Sequence, residues 1–175
     1  MNDERIVTDR MRYTKNTTSS RLALLAIVFN VLFFVSIYKS DVGAYYYTIL
    51  IGASIIYNLV FMLAAFLASE GVKNYKRGYS WLLIALGVLQ LARIFIIPVK
   101  MHSTVMGDPV TETVRILSMH LSVTRDSLVM GDWQFIRVCL YLIASAFCLF
   151  RAAHVNLKKS SALAAHLANL ETMQA

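Results

Sequence analysis

Two arginines inside long apolar stretches are the residues of this sequence with the clearest capacity for chemistry. Arg93 lies within the run from Gly78 to Val99, and Arg137 lies within the run from Trp133 to Phe150. A charged side chain at the centre of a bilayer costs roughly 2.5–3.5 kcal/mol on insertion scales, so it is retained only with a partner or a function. The apolar runs contain no aspartate or glutamate, so neither arginine has a carboxylate at its own depth.

Three arrangements are compatible with these arginines. Each guanidinium can reach the outer interface on its long side chain, pair with a carboxylate of an outer segment, or hold a foreign anion. The carboxylates of the predicted outer segments are Asp41, Asp108, Glu112, Asp126 and Asp132. A lipid phosphate, a carboxylate or an inorganic ion would serve as the foreign anion. All three arrangements remain open at this point.

Polar side chains also lie near the centre of each apolar run, namely Asn30, Asn58, Gln90 and Tyr141. A buried amide in lipid seeks a partner on a neighbouring helix, so we expect Asn30 and Asn58 to make interhelical contacts. Gln90 lies three residues before Arg93, and Tyr141 lies four residues after Arg137, which puts each pair on one helix face. The candidate site for an anion or lipid head group therefore comprises Arg93, Arg137, Gln90 and Tyr141.

Positioning these residues requires helices that cross a membrane. Apolar residues make up 58% of the 175 residues and charged residues only 15%, against roughly 25% charged in soluble domains. The apolar residues fall into four runs, over residues 22–38, 42–69, 78–99 and 133–150. At 1.5 Å per residue each run is long enough to cross a bilayer. We predict an all-α integral membrane protein built as a bundle of four transmembrane helices.

Three segments flank or interrupt this membrane domain of residues 22–152. They are a polar arm over residues 1–21, an outer segment over residues 100–132 and a C-terminal helix over residues 153–175. In the outer segment Asp108 and Pro109 resemble a helix start and Gly131 a helix end, which predicts an amphipathic helix between spans three and four. Its expected apolar stripe comprises Val114, Leu117, Leu121 and Leu128.

Two further patterns concern helix packing. In the C-terminal helix Leu163, Leu167 and Leu170 have coiled-coil spacing, although the pattern covers fewer than two heptads. Gly52 and Gly87 are the two glycines inside the spans, and each predicts a close approach of neighbouring helices.

The basic residues predict the orientation in the membrane. The net charge of +7 comes from residues at the ends of the runs, which favours anionic lipid over nucleic acid as a partner. Outside the spans, the arm, the second loop and the C-terminal segment together carry eleven lysines and arginines, against four in the first and third loops. We therefore predict a multi-pass protein of the plasma membrane with both termini in the cytoplasm and residues 100–132 outside.

The sequence offers little to catalysis. His102 and His120 are predicted outside and His154 and His166 inside, so the histidines predict no metal or haem site. We also expect no cofactor and no catalytic residue, because the chain has no phosphate-binding glycine loop, nucleophile elbow or zinc-protease motif. An enzyme would have to draw on the outer segment, with the candidate groups His102, Asp108, Glu112, His120 and Asp126.

Three functional hypotheses follow, in this order. The first is a non-catalytic membrane subunit that packs with partner proteins, or with itself, in a complex such as a transport system. The second is an oligomeric channel or carrier that binds an anion or anionic lipid through Arg93 and Arg137. The third is a membrane enzyme that acts on a lipid-linked substrate.

Overall fold

A computed structural model describes residues 6, 8–11, 13–38, 45–96, 98–99, 111–116, 119–124 and 132–174. The elements whose bounds are fully described are four helices and one hairpin. They are α1 (Thr17–Tyr38), α2 (Tyr45–Lys73), α3 (Arg77–Ile96), β1 (Thr111–Ile116), β2 (Met119–Thr124) and α4 (Asp132–Gln174).

The four helices are each long and apolar enough to cross a membrane, which confirms the predicted multi-pass helical bundle. Their outward faces carry large apolar side chains that remain exposed, such as Leu63, Phe95 and Leu140. In a bilayer these faces contact lipid rather than water. The inner faces bury small residues, including Ala23, Ala65 and Ala152, which let the helix backbones approach one another.

One of the two predicted close approaches is present. A Cβ atom on Gly87 would lie 2.7 Å from Cε1 of Phe150, so the glycine makes room for a ring from α4. No described atom lies within 4 Å of the corresponding position on Gly52, so the close approach predicted there is wrong. The closest approach instead involves Gly71 in α2, where an added Cβ would lie 2.2 Å from Cδ2 of Tyr79 in α3.

A tight turn joins α2 to α3. The Lys76 N–H donates to the Gly71 carbonyl at 3.3 Å, and the Tyr75 N–H donates to the Val72 carbonyl at 3.2 Å. These are the two hydrogen bonds of a Schellman C-cap. This motif requires a left-handed backbone conformation at the first residue past the helix cap. Tyr75 fills that position with φ 56°. The reversal brings the first turn of α3 back against the last turn of α2.

The prediction of an amphipathic helix between spans three and four is wrong for the described residues of this segment. Residues 111–116 and 119–124 form an antiparallel hairpin that pairs Thr111 with Thr124 and Ile116 with Met119. The prediction of a helix rested on the spacing of the leucines. However, half of the twelve strand residues are threonine, valine or isoleucine. Their branched Cβ atoms favour extended backbone over helix.

The fourth span and the predicted C-terminal helix form one element, α4, which runs without a break for 43 residues. At 1.5 Å per residue it is about 65 Å long, roughly twice the thickness of a bilayer core. Asn156 on α4 lies level with the first residues of α1 and α3, because it bonds to Asn16 and Ser80. The helix continues about 27 Å beyond this level to Gln174.

Candidate functional site

The guanidinium of Arg93 lies inside the bundle and is only 4% exposed. Its Nη1 donates to Oδ1 of Asn58 at 2.8 Å and to Oδ1 of Asn30 at 3.2 Å, and its Nη2 donates to the hydroxyl of Ser54. The charge on α3 is therefore bound by polar oxygens from both α1 and α2.

Two aromatic rings complete the surroundings of this charge. The Cζ atom of Arg93 lies 4.3 Å from the ring centroid of Phe33 and 4.6 Å from that of Tyr57. Both distances are within the range of cation–π attraction, which strengthens when water is excluded. Phe33 is fully buried on α1 and Tyr57 lies on α2, so the rings hold the guanidinium plane from the same two helices as its hydrogen-bond acceptors.

Gln90 extends the cluster to the fourth helix. It lies one turn before Arg93 on α3, and its Nε2 donates to Oδ1 of Asn30 at 3.0 Å and to Oγ of Ser145 at 3.3 Å. The hydroxyl of Ser145 on α4 donates in turn to the carbonyl of Ala26 on α1 at 2.9 Å. The polar layer near the middle of the bundle thus connects all four helices.

The orientation of the amides follows from the chemistry of Arg93. A guanidinium only donates, so Asn30 and Asn58 must turn their Oδ1 atoms towards it. Nδ2 of Asn30 then faces Oδ1 of Asn58, at 3.0 Å, and Gln90 must present Nε2 to Asn30. One charge therefore fixes the direction of three side-chain amides.

Three buried polar atoms of this cluster have no hydrogen-bond partner. They are Nδ2 of Asn58, Oε1 of Gln90 and the hydroxyl of Tyr57. Asn58 and Gln90 are at least nine-tenths buried, so water does not compensate them from outside the protein. An unpaired buried polar group costs about 1–3 kcal/mol. The cluster therefore has spare hydrogen-bonding capacity close to a positive charge that no described carboxylate neutralises.

Among the described residues, no carboxylate oxygen forms an ion pair with Arg93. The ion pairs between described side chains join Lys73 to Glu70 and His166 to Asp9, both outside the cluster. Of the carboxylates considered as partners, Asp41, Asp108 and Asp126 lie outside the described residues, as does the side chain of Glu112.

Arg137 and Tyr141 occupy different positions from the cluster. Arg137 is exposed and Tyr141 is half-buried, and neither forms a hydrogen bond to the cluster within the described part of the chain. Each step of four residues turns 400° around a helix, so Arg137 lies about 80° from Ser145 on the surface of α4. Ser145 faces the interior, and Arg137 consequently faces outward.

A small apolar cavity adjoins the cluster between α1 and α2. It has a volume of about 80 Å³, and Asn30 and Asn58 are among the residues that line it. The rest of its lining consists of Val31, Phe34, Ile55, Leu59 and Met62. This cavity therefore lies beside two residues of the cluster, and its surface is apolar.

A second buried polar cluster, which the sequence did not indicate, lies where α1 and α3 begin. Nδ2 of Asn16 donates to Oδ1 of Asn156 at 3.0 Å, and the Asn16 N–H donates to the Lys73 carbonyl at 2.9 Å. Nδ2 of Asn156 donates to Oγ of Ser80 at 2.7 Å and to the carbonyl of Lys76 at 3.2 Å. This cluster ties α4 to the start of α1 and to the α2–α3 turn.

Groups suited to catalysis or metal binding are scarce in the described part of the chain. It holds no group of three or more histidine, cysteine, aspartate or glutamate side chains placed to bind a metal ion. The candidate enzyme residues His102, Asp108 and Asp126 fall outside the described residues, and the side chains of Glu112 and His120 are not described.

Comparisons of this chain with protein-family models, with curated proteins and with solved structures found no match.

Proposed function

We propose that this chain is a non-catalytic membrane subunit that binds a helical segment of a partner protein on the extension of α4. The observation that carries this proposal is the unbroken course of α4 beyond the rest of the bundle. A four-span anchor with a long projecting helix is suited to joining another protein to the membrane. We define the tail as residues 161–174 of α4.

One face of the tail supplies the apolar contact surface. Leu163, His166 and Leu170 are half-buried, and Leu167 on the same face is 37% exposed. His166 Nε2 lies 3.5 Å from Oδ1 of Asp9, so part of the N-terminal arm runs beside the tail. The leucine spacing matches the seam of a coiled coil, and a partner helix with apolar a and d positions would complete it.

Substitution on opposite faces of the tail tests this proposal. Leu167→Glu places a charge on the apolar face, whereas Ala165→Glu places the same charge on the exposed opposite face. We expect the protein solubilised from its native membrane to run as a complex, which Leu167→Glu dissociates and Ala165→Glu preserves. Mass photometry measures the difference.

The complex mass also identifies the kind of partner. An added mass that is a multiple of this chain's own mass would identify the partner as a second copy. A monomeric wild-type protein, or an intact complex in Leu167→Glu, would contradict the proposal.

A second candidate function, the binding of a small anion at Arg93, is favoured by the composition of the buried cluster. Neutral oxygens and aromatic rings surround the guanidinium, while Nδ2 of Asn58 and the hydroxyl of Tyr57 have no acceptor. A small anion would supply both the missing negative charge and the missing acceptor. Arg137 lies apart from this cluster, so the candidate rests on Arg93 alone.

Chloride serves as the probe, with gluconate at equal ionic strength as the bulky control. We expect chloride to raise the melting temperature of the wild-type protein in detergent above its value in gluconate. Asn58→Asp supplies a carboxylate within reach of Arg93, so it should abolish this chloride effect. Equal melting temperatures in the two salts for the wild type would contradict anion binding.

A further inference from the structure

Arg137 is a charged side chain on a face of α4 that is otherwise apolar and turned outward. Its neighbours along that surface, Ile136 and Leu140, are about half exposed. No described side chain forms an ion pair or hydrogen bond with Arg137, in contrast to the hydrogen bonds and ring contacts of Arg93. A guanidinium in this setting is available to an anionic partner from outside the described chain.

The side chain of Arg137 borders a cleft between α1 and α4. The cleft has a volume of about 190 Å³, and its described lining consists of Val35, Ser36, Gln134 and Arg137. Nε2 of Gln134 donates to the Ser36 carbonyl at 3.1 Å, which holds the two helices together at the floor of the cleft. At roughly 30 Å³ per liquid water, the space accommodates about six waters, or a phosphate group with its ester oxygens.

The position of the cleft along α4 matches the level of lipid head groups. Trp133, one turn before Arg137, is 83% exposed, as expected for a tryptophan at the membrane interface. Side chains on a helix lean towards its N-terminus, so the Arg137 guanidinium extends towards the level of Trp133. A long basic side chain in this position meets lipid phosphates just beyond the hydrocarbon core.

We propose that the cleft between α1 and α4 binds the phosphate diester of an acidic phospholipid, with Arg137 as the charged ligand. A guanidinium binds two phosphate oxygens at once through its planar fork of donors. The acyl chains then lie along the exposed apolar residues of α4 that follow Arg137, including Leu140 and Ile143. The exposed apolar residues next to the cleft, such as Val35 and Leu140, favour a lipid over a free phosphate ion.

Lipid retention by matched arginine variants tests the site. Arg151 is an exposed arginine on the same helix, near the opposite end of the span, and serves as the control. The purified full-length protein is mixed with phosphatidylglycerol or phosphatidylcholine in detergent, and bound lipid is measured by native mass spectrometry. We expect Arg137→Gln to retain about fivefold less phosphatidylglycerol than the wild type, since one basic side chain near anionic lipid contributes about 1 kcal/mol.

The controls separate a specific site from general attraction. Arg151→Gln should retain phosphatidylglycerol as the wild type does, and phosphatidylcholine should be retained less by all three proteins. Equal retention by Arg137→Gln and the wild type would overturn the proposal, as would an equal loss in Arg151→Gln. If inorganic phosphate displaced the lipid at equal concentration, the site would be one for free phosphate, and the lipid assignment would be wrong.

Discussion

Nη1 of Arg93 lies 2.8 Å from Oδ1 of Asn58, so a full positive charge in the bundle interior meets a neutral amide. The nitrogen of that same amide is buried and has no acceptor. The pair thus combines a cation that no described carboxylate neutralises with a donor that has no acceptor. Replacing the Nδ2 atom of Asn58 by an oxygen would remove the unpaired donor and supply a negative charge. This relationship leads to the first prediction.

Asn58→Asp should raise the free energy of unfolding by about 1–2 kcal/mol, although it adds a charge to the membrane interior. The new carboxylate keeps the acceptor that Arg93 and Asn30 use, removes the unpaired Nδ2 and supplies a counter-charge. Asn58→Leu, which removes the acceptor, should lower the free energy of unfolding. Thermal unfolding in detergent measures both, and a less stable Asn58→Asp protein would show that the charge of Arg93 is already neutralised.

Arg93→Lys should lower the free energy of unfolding by about 2 kcal/mol even though the charge is retained. A single ammonium group cannot match the planar fork that reaches Asn30, Asn58 and Ser54 together, and it stacks less well on two rings. Arg137→Lys is the control, because that side chain is exposed. Equal stability of the two variants would show that position 93 requires only a charge.

Gly71→Ala should lower the free energy of unfolding by about 1–3 kcal/mol, because the added methyl group overlaps the ring of Tyr79 near its base. Gly52→Ala meets no described atom within 4 Å and should be neutral or stabilising, since alanine favours a helix over glycine. Adding Tyr79→Ala to Gly71→Ala should recover part of the loss. Chemical denaturation of the four proteins gives the comparison, and equal effects at positions 71 and 52 would contradict this packing.

Asn156→Ala should loosen the beginnings of α1 and α3 together. Asn16 and Ser80 each lose a partner, and an unpaired buried group costs about 1–3 kcal/mol. We expect faster hydrogen exchange of the backbone amides over residues 16–20 and 76–80. Asn169→Ala, at an exposed position of the same helix, should leave both segments unchanged. An effect confined to α4 would contradict the role of Asn156 as a link.

Hydropathy predicted the four helices because their apolar length and the scarcity of charge inside them are typical of segments that cross a bilayer. Depth along the helices then predicted three members of the buried cluster, Asn30, Asn58 and Gln90, as neighbours. Ser54 lies one turn before Asn58 and follows the same logic, but a lone serine in an apolar helix is a weak signal. The two rings that cover Arg93 resemble any other apolar residue in the sequence.

Rotation around the helix was harder to predict than depth. Arg137, like Arg93, lies towards the predicted outer end of its span, but the position of its side chain depends on which face of α4 packs inward. Residues spaced by four are rotated by 40° around the helix at each step. The row of polar residues on α4 therefore begins at the exposed Arg137 and ends at the buried Ser145. The β-hairpin was missed for a related reason, because leucines spaced for a helix coexist there with residues that favour strands.

The unbroken course of α4 has a mechanical consequence. A continuous helix behaves as a stiff rod over this length, so its membrane half and its tail cannot reorient independently. With about 27 Å of helix beyond Asn156, a tilt of about 10° within the bilayer would sweep Gln174 sideways by about 5 Å. A rearrangement of the four spans that tilts α4 would therefore displace the end of the tail, because no hinge separates the tail from the membrane half of the helix.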